Sequence, residues 1–120
     1  MYIADILYFR KEDSEAEVSI SDGCYTVTCY AYPCHAVQIG QTVSTLYGFG
    51  CTDIIRSDEA GYAVKKLPAY YAYRFVAKVV DNENRIVRIG DLFICLDHWI
   101  PKDIMNGEYI DFTVARLDCD

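Results

Sequence analysis

The sequence predicts a mainly β domain: a single small antiparallel barrel or sandwich of about six or seven strands, with one or two short helical turns. Three observations predict it. Apolar and polar residues alternate with a period of two in several short runs. Gly, Asp, Asn and Pro interrupt those runs at short intervals, and no stretch sustains the 3.6-residue period of an amphipathic helix. A chain of 120 residues fits one domain, residues 1–120, with a core of its own.

The elements follow in chain order. Ile3 to Phe9 is apolar and reads as a strand. Val18 and Ile20 then alternate with Glu17, Ser19 and Ser21, and Asp22-Gly23 predicts a type I′ hairpin turn with two positive-φ residues. On the return strand, Tyr25, Val27, Cys29 and Ala31 form one face, while Thr26, Thr28, Tyr30 and Tyr32 form the other; Pro33 ends the ladder because it has no N–H to donate. Thr45 to Ile55 predicts a strand with a bulge at Gly48 and Gly50. Ser57 to Leu67 predicts a short helix interrupted by Gly61, with Pro68 after it. A second hairpin runs from Tyr71 to Asp81, turns at Asn82-Glu83-Asn84 and returns from Arg85 to Ile89. Leu92 to Leu96 resumes as strand, Pro101 to Met105 predicts a single helical turn, and Tyr109 to Leu117 predicts the final strand.

One phrase recurs. Val37 to Val43 is echoed by Val87 to Phe93 and more weakly by Met105 to Ile110, each placing a Gly where a positive φ turns the chain into the sheet. The order of hairpin, glycine turn, third strand, short helical connection, long hairpin, glycine turn and final strand resembles an OB-fold barrel. That resemblance implies a domain that binds single-stranded nucleic acid, oligosaccharides or proteins across one open face. The net charge of −7 departs from the nucleic-acid-binding members.

Charge and cysteine usage narrow the function classes. The acid excess lies in the first half, where Arg10, Lys11 and Arg56 are the only bases and Glu12, Asp13, Glu15 and Glu17 cluster. Phosphate neutralisation dominates nucleic-acid affinity, so nucleic acid is an unexpected partner. Asp5 falls in an N-terminal stretch with no basic lead-in, which predicts no signal peptide, and no run approaches the roughly 20 apolar residues of a spanning helix. The expected location is cytoplasmic and away from membranes. In a reducing compartment the six cysteines act as small buried hydrophobes rather than as a disulfide framework.

No residue pattern matches a catalytic or cofactor motif. Cys24, Cys29, Cys34 and His35 cluster, but four residues separate successive cysteines where a zinc knuckle has two, so no metal or other cofactor is expected. Cys34 and His35 adjoin in sequence, which aims their side chains apart; Asp97-His98-Trp99 has the same weakness, and Trp99 reads as a core or barrel-end plug. The reading leans away from an enzyme.

The informative feature is an absence of charge. No Asp, Glu, Lys or Arg occurs between Asp22 and Asp53, yet Thr26, Thr28 and Gln38 make the stretch unfit for lipid. It is either a strand buried on both faces, which should be a Val/Ile/Leu run, or a surface that another molecule covers. The Thr/Tyr face favours the second. The expected function is a non-catalytic binding module that pairs with a protein partner or with itself as a homodimer. Thr28, Tyr30 and Tyr32 are its contact candidates, with Tyr70 and Tyr71. One alternative is an acidic inhibitor or immunity-type protein that covers a basic enzyme, steered by Glu12, Asp13, Glu15 and Glu17. Another is an oligosaccharide or single-strand binder that stacks tyrosines on rings.

Overall fold

The computed structural model describes residues 1–10, 15–31, 37–58, 60–69 and 71–119. The fold is mainly β, and no helix occurs among the described residues. The first five strands are β1 (Tyr2–Arg10), β2 (Glu15–Ser21), β3 (Thr26–Ala31), β4 (Leu46–Phe49) and β5 (Thr52–Arg56). Then come β6 (Ala63–Lys66), β7 (Tyr73–Asp81), β8 (Ile86–Ile89), β9 (Leu92–Leu96), β10 (Tyr109–Val114) and β11 (Arg116–Cys119). They form one 11-stranded sheet ordered β1-β2-β3-β11-β4-β9-β8-β7-β10-β5, with β6 beside the first half of β7. Most pairs are antiparallel, but β3–β11 and β4–β9 are parallel, so the sheet is mixed.

This differs from the expected antiparallel barrel or sandwich of about six or seven strands: the sheet is larger, is mixed and does not close. Two predicted strands are each broken in two. Thr45 to Ile55 becomes β4 and β5, separated by Gly50 and Cys51, whose N–H groups donate to the Asp97 carboxylate at 2.8 and 3.0 Å. Tyr109 to Leu117 becomes β10 and β11, separated by Ala115, whose N–H donates to the Phe49 carbonyl at 2.9 Å. The breaks lie against each other. A Cβ on Gly50, which has φ +65°, would sit 2.7 Å from the Ala115 Cβ, so the corner closes only because position 50 has no side chain.

The predicted helix over Ser57 to Leu67 is absent. Gly61 takes a positive φ of +142°, which breaks a helix, and Ala63–Lys66 is recruited as β6 by pairing with Tyr73 to Val76. Pro101 to Met105 keeps one hydrogen-bonded turn, Ile104 N–H to the Pro101 carbonyl at 3.1 Å, without becoming helical.

The first hairpin pairs as its alternation requires, with Val18 opposite Cys29 and Ile20 opposite Val27. Its connection is longer than a type I′ turn. Gly23 has φ +97° but Asp22 does not share the positive φ; instead the Asp22 carboxylate accepts from the Cys24 and Tyr25 N–H groups at 2.8 and 2.7 Å. Asp22 also accepts from Asp91 N–H at 2.8 Å, tying this turn to the one between β8 and β9. Burial would raise its pKa, but the N–H groups of Tyr25, Asp91 and Cys24 outweigh that and hold it below the usual aspartate value.

One face of β2, β3, β7, β9 and β10 is buried. Val18, Ile20, Val27, Cys29, Ile94, Ile110 and Leu117 are all essentially inaccessible. Tyr73 stacks on Phe75 at 5.2 Å, and Phe75 packs on Phe112 at 5.6 Å. The recurrent phrase is structural: Gly40, Gly90 and Gly107 each have a positive φ and lead the chain into a paired segment.

Candidate functional site

The strand register assembles a continuous row on the solvent side of the sheet. Leu7 of β1 lies opposite Glu17 of β2, Glu17 opposite Tyr30 of β3, Tyr30 opposite Asp118 of β11, and Asp118 opposite Tyr47 of β4. Phe49 and Arg116 form the neighbouring pair. Leu7 is 59% exposed, Tyr47 and Phe49 are each 39% exposed, and Tyr30 and Glu17 are half-buried. The apolar and aromatic groups thus sit among charged ones on a surface crossing five strands.

Local contacts fix the centre of this row. The Tyr30 ring meets the Tyr71 ring edge-on, with centroids 5.7 Å apart, and the Tyr71 hydroxyl donates to Glu17 Oε1 at 3.1 Å. Tyr71 does not belong to β7, as the sequence predicted; it occupies the preceding turn with φ +62°, a left-handed conformation that costs a bulky residue of order 1–3 kcal/mol. Burial, then the hydrogen bond to Glu17, then the charges of Glu17 and Glu15 raise the Tyr71 pKa above its ordinary value, so the hydroxyl remains a donor. On the other side, the Arg116 guanidinium lies 5.4 Å from the Tyr30 ring centroid and 5.2 Å from that of Phe49. Asp118 holds it there, through Nε to Oδ1 at 2.6 Å and a second nitrogen to Oδ2 at 3.0 Å.

The two groups of residues singled out in the sequence therefore meet. Tyr30 and Tyr71 from the contact set and Glu17 from the acidic set touch one another, and Glu15 is near enough to act on Tyr71. Thr28 shares their face, but its backbone N–H is engaged internally, donating to the buried Tyr73 hydroxyl at 2.9 Å. Tyr32, Tyr70, Glu12 and Asp13 lie outside the described residues. Leu7, Tyr47, Phe49 and Arg116 were missed. Tyr47 and Phe49 were legible, because they flank Gly48 in the charge-free stretch with the period of a strand whose other face is buried. The stretch is not a strand buried on both faces: β3 alternates between core and half-exposed positions.

Two of the described thiols are held protonated. Burial pushes the Cys51 thiol up to about 12, helped by the Asp97 charge, and burial also raises Cys29 well above its ordinary value, with Cys119 and Asp118 adding to the effect. A thiol held protonated is the opposite of an activated nucleophile. Cys24 is exposed in the first turn while Cys29 faces the core, and no cluster of three metal-ligating side chains occurs among the described residues. The cysteine–histidine pair Cys34-His35 lies outside them. Trp99 is not the plug expected of it; it is 66% exposed, with the Arg85 guanidinium 4.7 Å from its ring.

No helix among the described residues is long and apolar enough to cross a membrane. No protein-family model, curated protein or solved structure matches this chain.

Proposed function

We propose that the domain is a non-catalytic protein-binding module whose contact face is the row from Leu7 to Tyr47 together with Phe49, Tyr71 and Arg116. The observation that carries the reading is the register itself, which sets exposed aromatic and aliphatic groups and an arginine side by side on a rigid sheet. Tyr and Arg are the residue types that most often dominate binding energy at protein contacts. The same face carries Glu15, Glu17 and Asp118, while Arg116 is already paired with Asp118. Among the described side chains of this face, the charge outside the Arg116–Asp118 pair is acidic, which favours a basic partner over a second acidic copy of this chain. A basic enzyme covered by an inhibitor of this kind would satisfy the geometry. The resemblance to OB-fold domains is one of sequence pattern alone, and face binding does not depend on it. The free thiols at Cys24, Cys29, Cys51, Cys95 and Cys119 suit a reducing compartment such as the cytoplasm.

The test starts with a photo-crosslinking residue at position 47 in cells that make the protein, with position 65 as the control. The captured protein is then purified and titrated. Combined Tyr47→Ala and Phe49→Ala substitution is expected to weaken binding by about 30-fold, the equivalent of roughly 2 kcal/mol. Glu15→Gln with Glu17→Gln should slow association and flatten its salt dependence. Crosslinking at 47 no greater than at 65, or a partner indifferent to both pairs of substitutions, would overturn the proposal. A concentration-dependent rise in mass abolished by the Tyr47/Phe49 pair would instead assign the face to self-association.

A further inference from the structure

A second surface feature lies at a different place in the fold, where the β7–β8 turn meets the segment before β10. These two form the walls of an open groove of about 1070 Å³, lined by Asp81, Glu83, Trp99, Lys102, Met105 and Asn106 among others. The groove is at the upper end of the roughly 300–1,000 Å³ common for small-molecule sites. Trp99 and Met105 are 66% and 68% exposed, while Ile100 and Ile104 anchor the same segment in the core.

The walls are braced internally. The Asn82 side-chain amide donates to the carbonyls of Pro101 and Ile104 at 3.0 and 2.7 Å, and its backbone N–H donates to Asn106 Oδ1 at 2.9 Å. Asp81 accepts from the backbone and side chain of Asn84, and Met105 N–H donates to Glu108 Oε2 at 2.6 Å. The indole is held as well: Arg85 lies over it at 4.7 Å, from a backbone position with φ +60° and with a buried Nε that no group among the described residues satisfies. Strain and an unmet donor beneath an exposed aromatic ring are features that folds retain at binding sites.

We infer that this groove binds a neutral oligosaccharide, one sugar ring stacking on the face of Trp99 that Arg85 leaves open. Three points select that ligand class. An indole face with groove space in front of it suits the C–H face of a pyranose ring, a contact of flat apolar surfaces. The groove lining carries Asp81 and Glu83 against Lys102, with the Arg85 guanidinium on the ring beside it, so no large excess of one sign favours a polyanion or a cation. A cation would also compete with the guanidinium already on the ring. Finally, a carboxylate, an ammonium and an amide at Glu83, Lys102 and Asn106 line the rim, offering both acceptors and donors to ring hydroxyls.

Trp99 is the single tryptophan, so its fluorescence reports the site directly. A panel of short neutral oligosaccharides differing in linkage and ring type is titrated into the full chain, with an oligonucleotide and a lysine-rich peptide of similar length alongside. At least one saccharide should give a saturable change that is unaltered between about 0.05 and 0.5 M salt, because no ions pair across the contact. Calorimetry with Trp99→Ala should then show at least about a tenfold loss, Glu83→Ala a smaller one, and Trp99→Phe a partial rescue. Tyr47→Ala with Phe49→Ala should leave saccharide binding intact, which separates this site from the protein-binding face. Because Trp99 is exposed, its variants should melt with the parent chain. Three results each overturn the inference: no saturable signal from any saccharide, binding that survives Trp99→Ala, or preferential binding of the oligonucleotide or the peptide.

Discussion

Tyr71 concentrates several opposed effects in one side chain. Its φ of +62° costs energy, its hydroxyl bonds Glu17 and its ring packs on Tyr30. Tyr71→Phe removes the hydroxyl and its bond to Glu17 and should cost about 1 kcal/mol in chemical denaturation. The raised pKa gives a pH signature whose sign is fixed by linkage. The folded state holds the Tyr71 proton more tightly than the unfolded one, so this stability is fully present below the ordinary tyrosine pKa near about 10. It is lost as pH rises further. The parent chain should therefore lose more stability than Tyr71→Phe on going to strongly alkaline pH; parallel losses in the two would show that Tyr71 is not shifted. The residues of the candidate face were partly legible. Tyr30 was found from charge depletion, Glu17 from acidic clustering and Tyr71 only as an additional tyrosine contact candidate, but nothing in their spacing shows that a residue before β7 returns to β3. Leu7 looks like any core leucine until the register sets it opposite Glu17.

At the scale of elements, period-two alternation identified most strands because each has one face in the core. It failed where a strand changes partners. β10 pairs with β5 and β7 whereas β11 pairs with β3 and β4, and the alternation changes phase at Ala115: Val114 and Leu117, three residues apart, are both buried, a shift that a single strand from Tyr109 to Leu117 ignores. β6 was missed because Ala-Val-Lys-Lys is short, carries no alternation and is a strand only through its neighbour β7. The corner is testable. Gly50→Ala should destabilise by about 1–3 kcal/mol through overpacking against Ala115 and its positive φ. Adding Ala115→Gly should recover the steric part only, so a double-mutant cycle should show coupling; strict additivity would mean that the two positions do not meet. The first turn offers a second test. Asp22→Ala leaves the N–H groups of Cys24, Tyr25 and Asp91 without their acceptor and should cost about 1–3 kcal/mol. Since the Asp22 pKa is lowered, its contribution is present above the ordinary aspartate pKa and lost as pH falls through the folded value. The difference between parent and variant should therefore shrink in acid.

For the whole molecule, alternation and turn signals predicted a mainly β domain but not the single large sheet or its mixed character, because parallel neighbours are chosen by long-range pairing rather than by local sequence. The joint of greatest consequence is β11. It lies between β3 and β4, so it supplies a neighbour to both, although it is made after either. Until it inserts, two interior strands have open edges, and the half of the sheet holding β1, β2 and β3 has no strand linking it to the rest. Insertion of β11 is thus a natural commitment step in folding, a non-local event with the slow kinetics such pairings bring. A nascent or clipped chain lacking Arg116–Cys119 would offer a slot shaped for that strand, and a free strand from another copy is the segment best suited to occupy it.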